Sequence, residues 1–337
     1  MTRRVCSVVL AALCAIGVVA PPAAEAATVN ACVYDPAGKA GDYYRMMEEW
    51  SLAAAGWGAT VQLTPYTDEA TAAKDYEAGK CDVVVATGVR LQRFNRFPST
   101  IEAMGAIPSY DAMKSLLTSV TTSASAAAKL RSGEHETVGF IPVGAVYLFV
   151  RDRSKDTVPE LAGRRIATMD YDKAAPAMVQ RIGAVMVAAD LASIGPKFNN
   201  GDVDACYVSA PAYKPFELWR GVGTSGGVLK LPLAQATLQV MVRADKLPAG
   251  MGASSRTWFL GKFDSAVALV KKAEAEIPAS SWVAIPASDL PGFDELFQSV
   301  RLQLRDAGAY DPTMLKVMRQ IRCGADPARA ECAEQLE

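Results

Sequence analysis

The sequence predicts an α/β protein built as two lobes, and three observations lead to this prediction. The chain has 337 residues, which is enough for two domains that each bury a core. In both halves, short apolar runs alternate with amphipathic segments, the pattern of parallel strands joined by helices. Two longer extended runs, one near the middle of the chain and one about 80 residues later, would carry the chain between the halves.

Residues 1–26 have the organisation of a secretory signal peptide. Two arginines precede an uncharged apolar run, and Pro21 and Pro22 end it. Small residues then occupy the two positions that a signal peptidase reads, so we expect the mature chain to begin at Ala27. The apolar run is too short to cross a membrane. We therefore expect a protein that is exported to the periplasm.

The first unit after the signal follows the order strand, helix, strand, helix, strand. The run TVNACVYD predicts the first strand, and apolar residues at helical spacing predict a helix from about Asp42. The runs ATVQLTPY and CDVVVA predict two more strands on either side of a helix from Asp68 to about Ala78. Residues 110–130 are rich in Ala, Ser and Thr and are predicted to be helical only in parts.

The second unit repeats this order after the extended run TVGFIPVGAVYLFV. Its strands are predicted in GRRIATMD, AVMVAA and VDACYVSA, and its helices from Lys173 to Ile182 and toward Phe198. The run GVLKLPLAQATLQVMVRAD then returns as extended chain, and the remainder is predicted to be helical. We expect lobe 1 to comprise residues 27–140 and 238–337, and lobe 2 residues 141–237, each a mostly parallel sheet flanked by helices.

Composition excludes several classes of function. The formal net charge is -1, which gives no overall field for nucleic acid. The only histidine is His135, so zinc sites built on two or more histidines are excluded and a catalytic triad would need that one residue. No metal site and no cofactor is predicted. Cys206 is the one unusual candidate nucleophile, inside an apolar strand where a thiol is ordinarily inert.

The cysteines of an exported chain can form disulfides. Five remain after the signal, so at least one is unpaired. Cys323 and Cys332 flank a short polar tail and are predicted to form a bridge that holds the C-terminus. Cys32 and Cys81 begin two strands that would be adjacent, and they are a second candidate pair. Cys206 would then be a buried free thiol.

Candidate ligand-binding residues follow four predicted strands. In open α/β sheets the carboxyl ends of the strands form the binding edge, where glycines let backbone amides approach a ligand and helix N-termini attract anions. An arginine there can bind a carboxylate with two hydrogen bonds. The candidates are Asp35, Gly38, Lys39, Gly41 and Asp42; Thr87, Gly88 and Arg90; Asp170, Tyr171, Asp172 and Lys173; and Ser209 and Tyr213.

Several of these segments resemble periplasmic solute-binding proteins of the TRAP type, and most closely an AdeT-like subgroup linked to RND efflux. The resemblance is carried by DPAGKAGD, CDVVVATGVR, LAGRRIATMDYDKA, FNNGDVDACYVSAPAYKPFELWRGVG and YDPTMLKVMRQIRC. It implies the two-lobed type II periplasmic binding-protein fold, a monomer, and delivery of a small-molecule solute to a membrane transporter of TRAP or RND type. In TRAP proteins an arginine binds the ligand carboxylate at a position that is Ala167 here, and Arg90 or Lys173 would substitute for it.

The leading hypothesis is therefore a periplasmic protein that closes two lobes over a solute with an anionic group. Arg90 would hold that group, with help from Lys39 or Lys173. The carboxylates Asp35, Asp170 and Asp172 leave a cationic ligand open as the alternative. A ligand-free adaptor of an efflux assembly and an enzyme on the same fold are the other two hypotheses.

Overall fold

The first unit alternates three strands with two helices, as the sequence predicts. The computed structural model describes residues 27–337, so the predicted signal peptide lies outside the described residues. Strands β2 and β3 both pair in parallel with β1. The Asp68 side chain accepts a hydrogen bond from the Thr71 amide and begins the second helix. The elements are β1 (Ala27–Tyr34), α1 (Asp42–Ala55), β2 (Ala59–Tyr66), α2 (Glu69–Glu77) and β3 (Val83–Thr87).

Short helices and one hairpin lead from this unit to the centre of the protein. The alanine-rich region forms two helices separated at Ser123, which ends the first and caps the second. The longer helix buries its apolar face, as its sequence pattern requires. These elements are α3 (Gly88–Leu91), α4 (Arg96–Ser99), α5 (Tyr110–Thr122), α6 (Ala124–Lys129) and β4 (Arg131–Ser132).

The second unit has parallel strands of its own, preceded and followed by long antiparallel strands. Strand β6 pairs in parallel with β7 and with β8. The predicted strands and helices are confirmed with shifts of one or two residues at their ends, except that the extended run predicted over GVLKLPLAQATLQVMVRAD is divided into two strands, β9 and β10. The elements are β5 (His135–Val150), β6 (Arg165–Met169), α7 (Ala174–Arg181), β7 (Val185–Ala189), α8 (Ile194–Asn200), β8 (Ala205–Ser209), α9 (Trp219–Val222), β9 (Gly227–Leu229) and β10 (Ala234–Arg243).

The two lobes share one mixed sheet, because the crossing strands β5 and β10 pair with each other. The strand order is β2-β1-β3-β10-β5-β8-β6-β7. The first part of β5 pairs with β10, and its last residues, from Val146, pair with β8. At the crossing Gly144 has φ +107°, and a Cβ there would lie 2.4 Å from the Val270 side chain. The ladder also shifts register between Ala236 and Thr237.

The C-terminal part is helical, as predicted. Phe293, Leu296, Phe297, Val300 and Leu304 are all buried on one face of a long helix, which contacts α7 of the second unit. The next helix contacts α5 of the first unit, so the C-terminal helices touch both lobes. They are α10 (Met251–Gly261), α11 (Phe263–Ala275), β11 (Trp282–Val283), α12 (Leu290–Asp306), α13 (Pro312–Ala325) and α14 (Glu331–Glu334).

Two disulfides form, and both predicted pairs are confirmed. Cys32 on β1 is bonded to Cys81 beside β3, with Cα atoms 5.9 Å apart. Cys323 is bonded to Cys332, with Cα atoms 5.6 Å apart. Cys206 is the free cysteine among the described residues and is buried in β8.

Buried ion pairs fix the C-terminal tail. The Glu331 carboxylate accepts hydrogen bonds from Arg322 at 2.9 Å and also pairs with Arg301. Glu337 pairs with the same two arginines. The arginines also reach the backbone beneath them, since Arg301 donates to the Met104 carbonyl at 2.9 Å and Arg322 to the Ala106 carbonyl at 2.7 Å.

None of the helices within residues 27–337 combines the length and apolar character that a membrane crossing requires.

Candidate ligand-binding cavity between the lobes

A cavity of about 490 Å³ lies at the carboxyl ends of strands from both units. The crossing strands form part of its wall through Val143, Val146, Ala234 and Ala236. This volume is typical of a small-molecule site. Most of the lining is apolar or aromatic, and its aromatic part consists of Tyr34, Tyr43, Tyr171, Tyr207, Tyr310 and Phe216.

The structure brings eight of the fourteen candidate residues to this cavity. They are Asp35, Gly41, Asp42, Thr87, Tyr171, Asp172, Lys173 and Ser209. All four candidate loops contribute at least one residue, because the carboxyl ends of both sets of parallel strands face the same space. The remaining candidates lie outside the lining: Gly38, Lys39, Gly88, Arg90, Asp170 and Tyr213.

Asp35 occupies the N-terminus of α1. Its Oδ2 accepts hydrogen bonds from the amides of Tyr43 at 3.0 Å and Tyr44 at 3.1 Å, and its Oδ1 accepts from Ala37 at 2.8 Å. Burial raises the pKa of Asp35, while these amides lower it. A Cβ at Gly41 would lie 2.0 Å from the carboxyl group, so glycine is needed for this close approach. The helix N-terminus predicted to face a ligand is thus already bonded to the chain's own carboxylate.

Glu102 plays the same part at the N-terminus of α3. It accepts hydrogen bonds from the amides of Gly88, Val89 and Thr237, each at 2.9 Å, and from the Thr237 hydroxyl at 2.6 Å. Burial outweighs these bonds and raises the pKa of Glu102 to about 7. Gly88 therefore serves this carboxylate through its amide, and a Cβ there would collide with Glu102 and Gln239.

Asp172 is the third such carboxylate, at the start of α7. Its Oδ1 accepts from the amides of Ala174 at 2.7 Å and Ala175 at 3.3 Å, and its Oδ2 accepts from the Tyr207 hydroxyl at 2.8 Å. Burial raises its pKa. Asp172 therefore bonds the first amides of α7 and also forms part of the cavity wall.

Arg90 lies behind the cavity wall and has a partner of its own. Its Nε donates to Glu69 Oε2 at 3.2 Å, and Glu69 is buried. The other Glu69 oxygen accepts from the Thr87 amide at 2.6 Å. The Arg90 guanidinium stacks on the Tyr171 ring, 3.4 Å from its centroid. Arg90 thus connects the two lobes through an aromatic ring that itself lines the cavity.

The other candidates outside the cavity lining lie in the core of the second unit, at the surface or in a turn. Tyr213 is buried in the core of the second unit, where it stacks with Phe149 at a centroid distance of 6.2 Å. Asp170 and Lys39 are exposed to solvent. Gly38 has φ +58°, a turn conformation that favours glycine.

Comparison with known proteins identifies the family. The sequence profile of the family described as "Solute-binding protein AdeT 1/2" matches residues 46–337. The chain belongs to this family. It is 36% identical over 303 residues to "Probable solute-binding protein AdeT1" of Acinetobacter baumannii, an alignment that covers 89% of this chain and 99% of the relative.

Solved structures confirm the two-lobed fold of this AdeT-family chain. A TRAP periplasmic solute-binding protein from Ralstonia eutropha H16, with bound (S)-2-acetolactate, superposes with a TM-score of 0.71 at 13% identity, over 88% of this chain and 99% of that chain. One from Desulfovibrio salexigens, with bound orotic acid, gives 0.68 at 13% identity over the same shares. At this identity the likeness establishes architecture.

The AdeT-family chain departs from the TRAP pattern at the position where the resemblance places an arginine. Ala167 is fully buried in β6. Arg165, two residues earlier, pairs with Asp204 at 2.8 Å and donates to the Gly201 carbonyl at 3.0 Å, which holds it at the opposite end of the strand from the cavity.

Sequence reasoning missed most of the cavity wall, including four residues with polar side chains, Tyr34, Glu102, Tyr207 and Tyr310. Tyr34 and Tyr207 lie within predicted strands, where alternation assigns them to a core. Glu102 and Tyr310 lie in irregular segments far from the strand ends. Only Glu102 carried a usable signal, because a carboxylate in the apolar stretch from Ile101 to Ile107 requires buried partners.

Proposed function

We propose that this chain is a periplasmic solute-binding protein that holds a small molecule in the cavity between its lobes and delivers it to a membrane transporter. The observation that carries the proposal is the cavity itself, which both units line at the carboxyl ends of their strands. Membership of the AdeT family supports a binding role without catalysis. The predicted boundaries, 27–140 with 238–337 and 141–237, are proposed as the two lobes that close on the ligand.

The structural neighbours support the size of such a ligand. The two compared above hold acetolactate and orotic acid, both small organic acids, in the same fold. Binding would favour the closed arrangement of the lobes to the extent that the solute contacts both of them. We propose that the partner is a transporter of TRAP or RND type and that the protein acts as a monomer.

An enzymatic role has little support from Cys206. Its thiol is buried in β8, and burial raises its pKa, so the reactive thiolate is disfavoured. The residue also lies outside the cavity lining.

The direct test is to identify what the protein carries and to block the cavity. Protein purified from periplasm would be denatured and the released small molecules identified by mass spectrometry, after which the hits would be tested by thermal shift and calorimetry. Ala236 is half-buried at the cavity wall, so Ala236→Phe should fill part of the space.

We expect Ala236→Phe to lose binding while it keeps the circular-dichroism spectrum of the wild type. Ala128→Phe, on the exposed surface of α6, is the matched control and should bind normally. Equal binding by wild type and Ala236→Phe would contradict the proposed site. Absence of any bound or stabilising small molecule would contradict the proposed function and favour the ligand-free adaptor.

A further inference from the structure

The positions where this fold would attract an anion already contain carboxylates. The N-termini of α1 and α7 are bonded to Asp35 and Asp172, and both acids line the cavity, as does Glu102, which is bonded to the Gly88 and Val89 amides. A helix N-terminus stabilises a negative charge through its free amides and its dipole. Because the chain's own side chains use those amides, a ligand anion would meet three acidic groups in place of free amide donors.

The cations near the cavity are solvated or already paired. The basic residues of the lining are Lys173, Lys214 and Lys272, and all three are exposed. The Lys214 ammonium pairs with Glu276 at 3.1 Å. Arg90 is bonded to Glu69 behind the Tyr171 ring. A carboxylate ligand would therefore find no buried cation in the part of the wall that the structure describes.

Each of the three carboxylates retains capacity to accept a hydrogen bond. A carboxylate oxygen has two lone-pair positions. Asp172 Oδ2 has one donor, the Tyr207 hydroxyl, and Asp35 Oδ1 has one, the Ala37 amide. These oxygens cannot donate while the groups are ionised, so the complementary ligand group is a donor.

The Tyr34 hydroxyl is a second, independent indication of a polar ligand group. Tyr34 is 6% exposed and lines the cavity, and its hydroxyl has no hydrogen-bond partner within residues 27–337. The hydroxyl oxygen faces the open space of the cavity, so its donor and acceptor sites remain available to a polar group of a ligand. Aromatic rings from Tyr43, Tyr171 and Tyr310 share the same lining and can attract a cation through their faces.

We propose that the solute of this protein carries a cationic nitrogen on an apolar body, with Asp172 and Tyr34 as its polar contacts. The inference rests on the proposed function and assigns the ligand class of that cavity. An ammonium or amidinium group donates hydrogen bonds and also carries a positive charge that balances the carboxylates of the wall. An alcohol donates a hydrogen bond but carries no charge. The apolar body matches the apolar remainder of the lining.

The test compares ligands that differ only in charge. A panel of primary amines with apolar bodies of about 8–20 non-hydrogen atoms would be screened by thermal shift, each beside the carboxylic acid and the alcohol of the same carbon skeleton. Calorimetry on the best skeleton would then give three dissociation constants. We expect the amine to bind at least about 10-fold more tightly than the alcohol, and the acid to bind most weakly.

Two variants assign the effect to the residues named. Asp172→Asn should weaken amine binding by about 10- to 150-fold and change alcohol binding by less than about 3-fold, because only the amine loses a charge-assisted bond. Tyr34→Phe should weaken the amine by about 2- to 10-fold. Asp170→Asn, an exposed neighbour outside the lining, is the matched control. If Asp172→Asn fails to fold, Asp35→Asn replaces it.

The results of these experiments distinguish failure of the cationic-ligand proposal from failure of the proposed solute-binding function. Tighter binding of the acid or of the alcohol would overturn the cationic ligand while leaving the solute-binding function intact. An equal loss of amine and alcohol affinity in Asp172→Asn would show a merely structural role for this carboxylate and would overturn its assignment. If no member of any class bound, and nothing were released from the periplasmic protein, the proposed function would fail together with this inference.

Discussion

Replacing Glu331 with glutamine should destabilise the protein by several kcal/mol, because this residue joins the buried ion pairs of the C-terminal tail. Glu331 is 6% exposed and accepts hydrogen bonds from Arg301, Arg322 and Arg329. In Glu331→Gln the first two arginines, 1% exposed each, would share only Glu337. Removing one partner of a buried ion pair costs about 3–5 kcal/mol, because the remaining charges stay buried. For a protein of this size that corresponds to a fall of about 5–8 °C in Tm.

The pH dependence of this effect has a defined sign. The arginines hold the pKa of Glu331 at about 2 against the opposing effect of burial, well below the ordinary value of 4.5. A lowered pKa in the folded state contributes stability at pH above 4.5, and that contribution is lost as the pH falls toward about 2. The stability difference between wild type and Glu331→Gln should therefore shrink between pH 4.5 and pH 2.

The assay is urea denaturation and scanning calorimetry of the oxidised protein at pH 7 and at several lower values. Glu334→Gln, an exposed glutamate on the same helix, is the matched control and should change the unfolding free energy by less than about 0.5 kcal/mol. If Glu331→Gln unfolded within about 1 kcal/mol of this control, the buried ion cluster would not be the element that holds the tail.

Three further predictions concern stability and ionisation. Replacing Cys323 and Cys332 together with serine should cost roughly 2–3 kcal/mol in urea denaturation because a short loop is released, and an unchanged midpoint would contradict this. Carbon-13 NMR of labelled glutamates should show one carboxyl, Glu102, titrating near pH 7, so that its contribution to stability falls as the pH rises from 4.5 to about 7; titration of every glutamate below pH 5.5 would refute it. Ser255→Ala should cost about 1–3 kcal/mol, since the buried Trp50 Nε1 donates to Ser255 Oγ at 2.8 Å; a free energy of unfolding equal to that of wild type would show that the indole finds another acceptor.

The sequence was sufficient for the elements and the disulfides. Alternation and helical spacing are local signals, and they survive in this fold because each strand or helix buries one defined face. Cys32 and Cys81 could be paired because each begins a predicted strand of the same parallel unit, and these two strands, β1 and β3, do lie side by side. The joining of the two sheets was not predictable, since it depends on β5 and β10, whose closest paired residues, Val146 and Ala234, are 88 positions apart in the chain.

About half of the candidate site residues were predictable. The partners of the charged side chains were not, and those partners decide which charges face the cavity. Reasoning from strand ends found the loops, and all four reach the cavity. It could not show that Asp35 would turn back onto the next helix or that Glu69, from α2, would take Arg90 as its partner. Those pairings depend on the packing of segments that are separate in sequence, and they change which charges a ligand meets.

The pairing of β5 with β10 makes the connection between the lobes a two-stranded ribbon. Two unpaired linkers would allow the lobes to tilt, slide and rotate separately, whereas a hydrogen-bonded ladder resists stretching and shear and yields most easily by twisting. Gly144 and the register shift beside Thr237 place the most deformable point of that ribbon against the cavity wall. A twist of this ribbon would therefore change the width of the cavity mouth by rotating one lobe relative to the other.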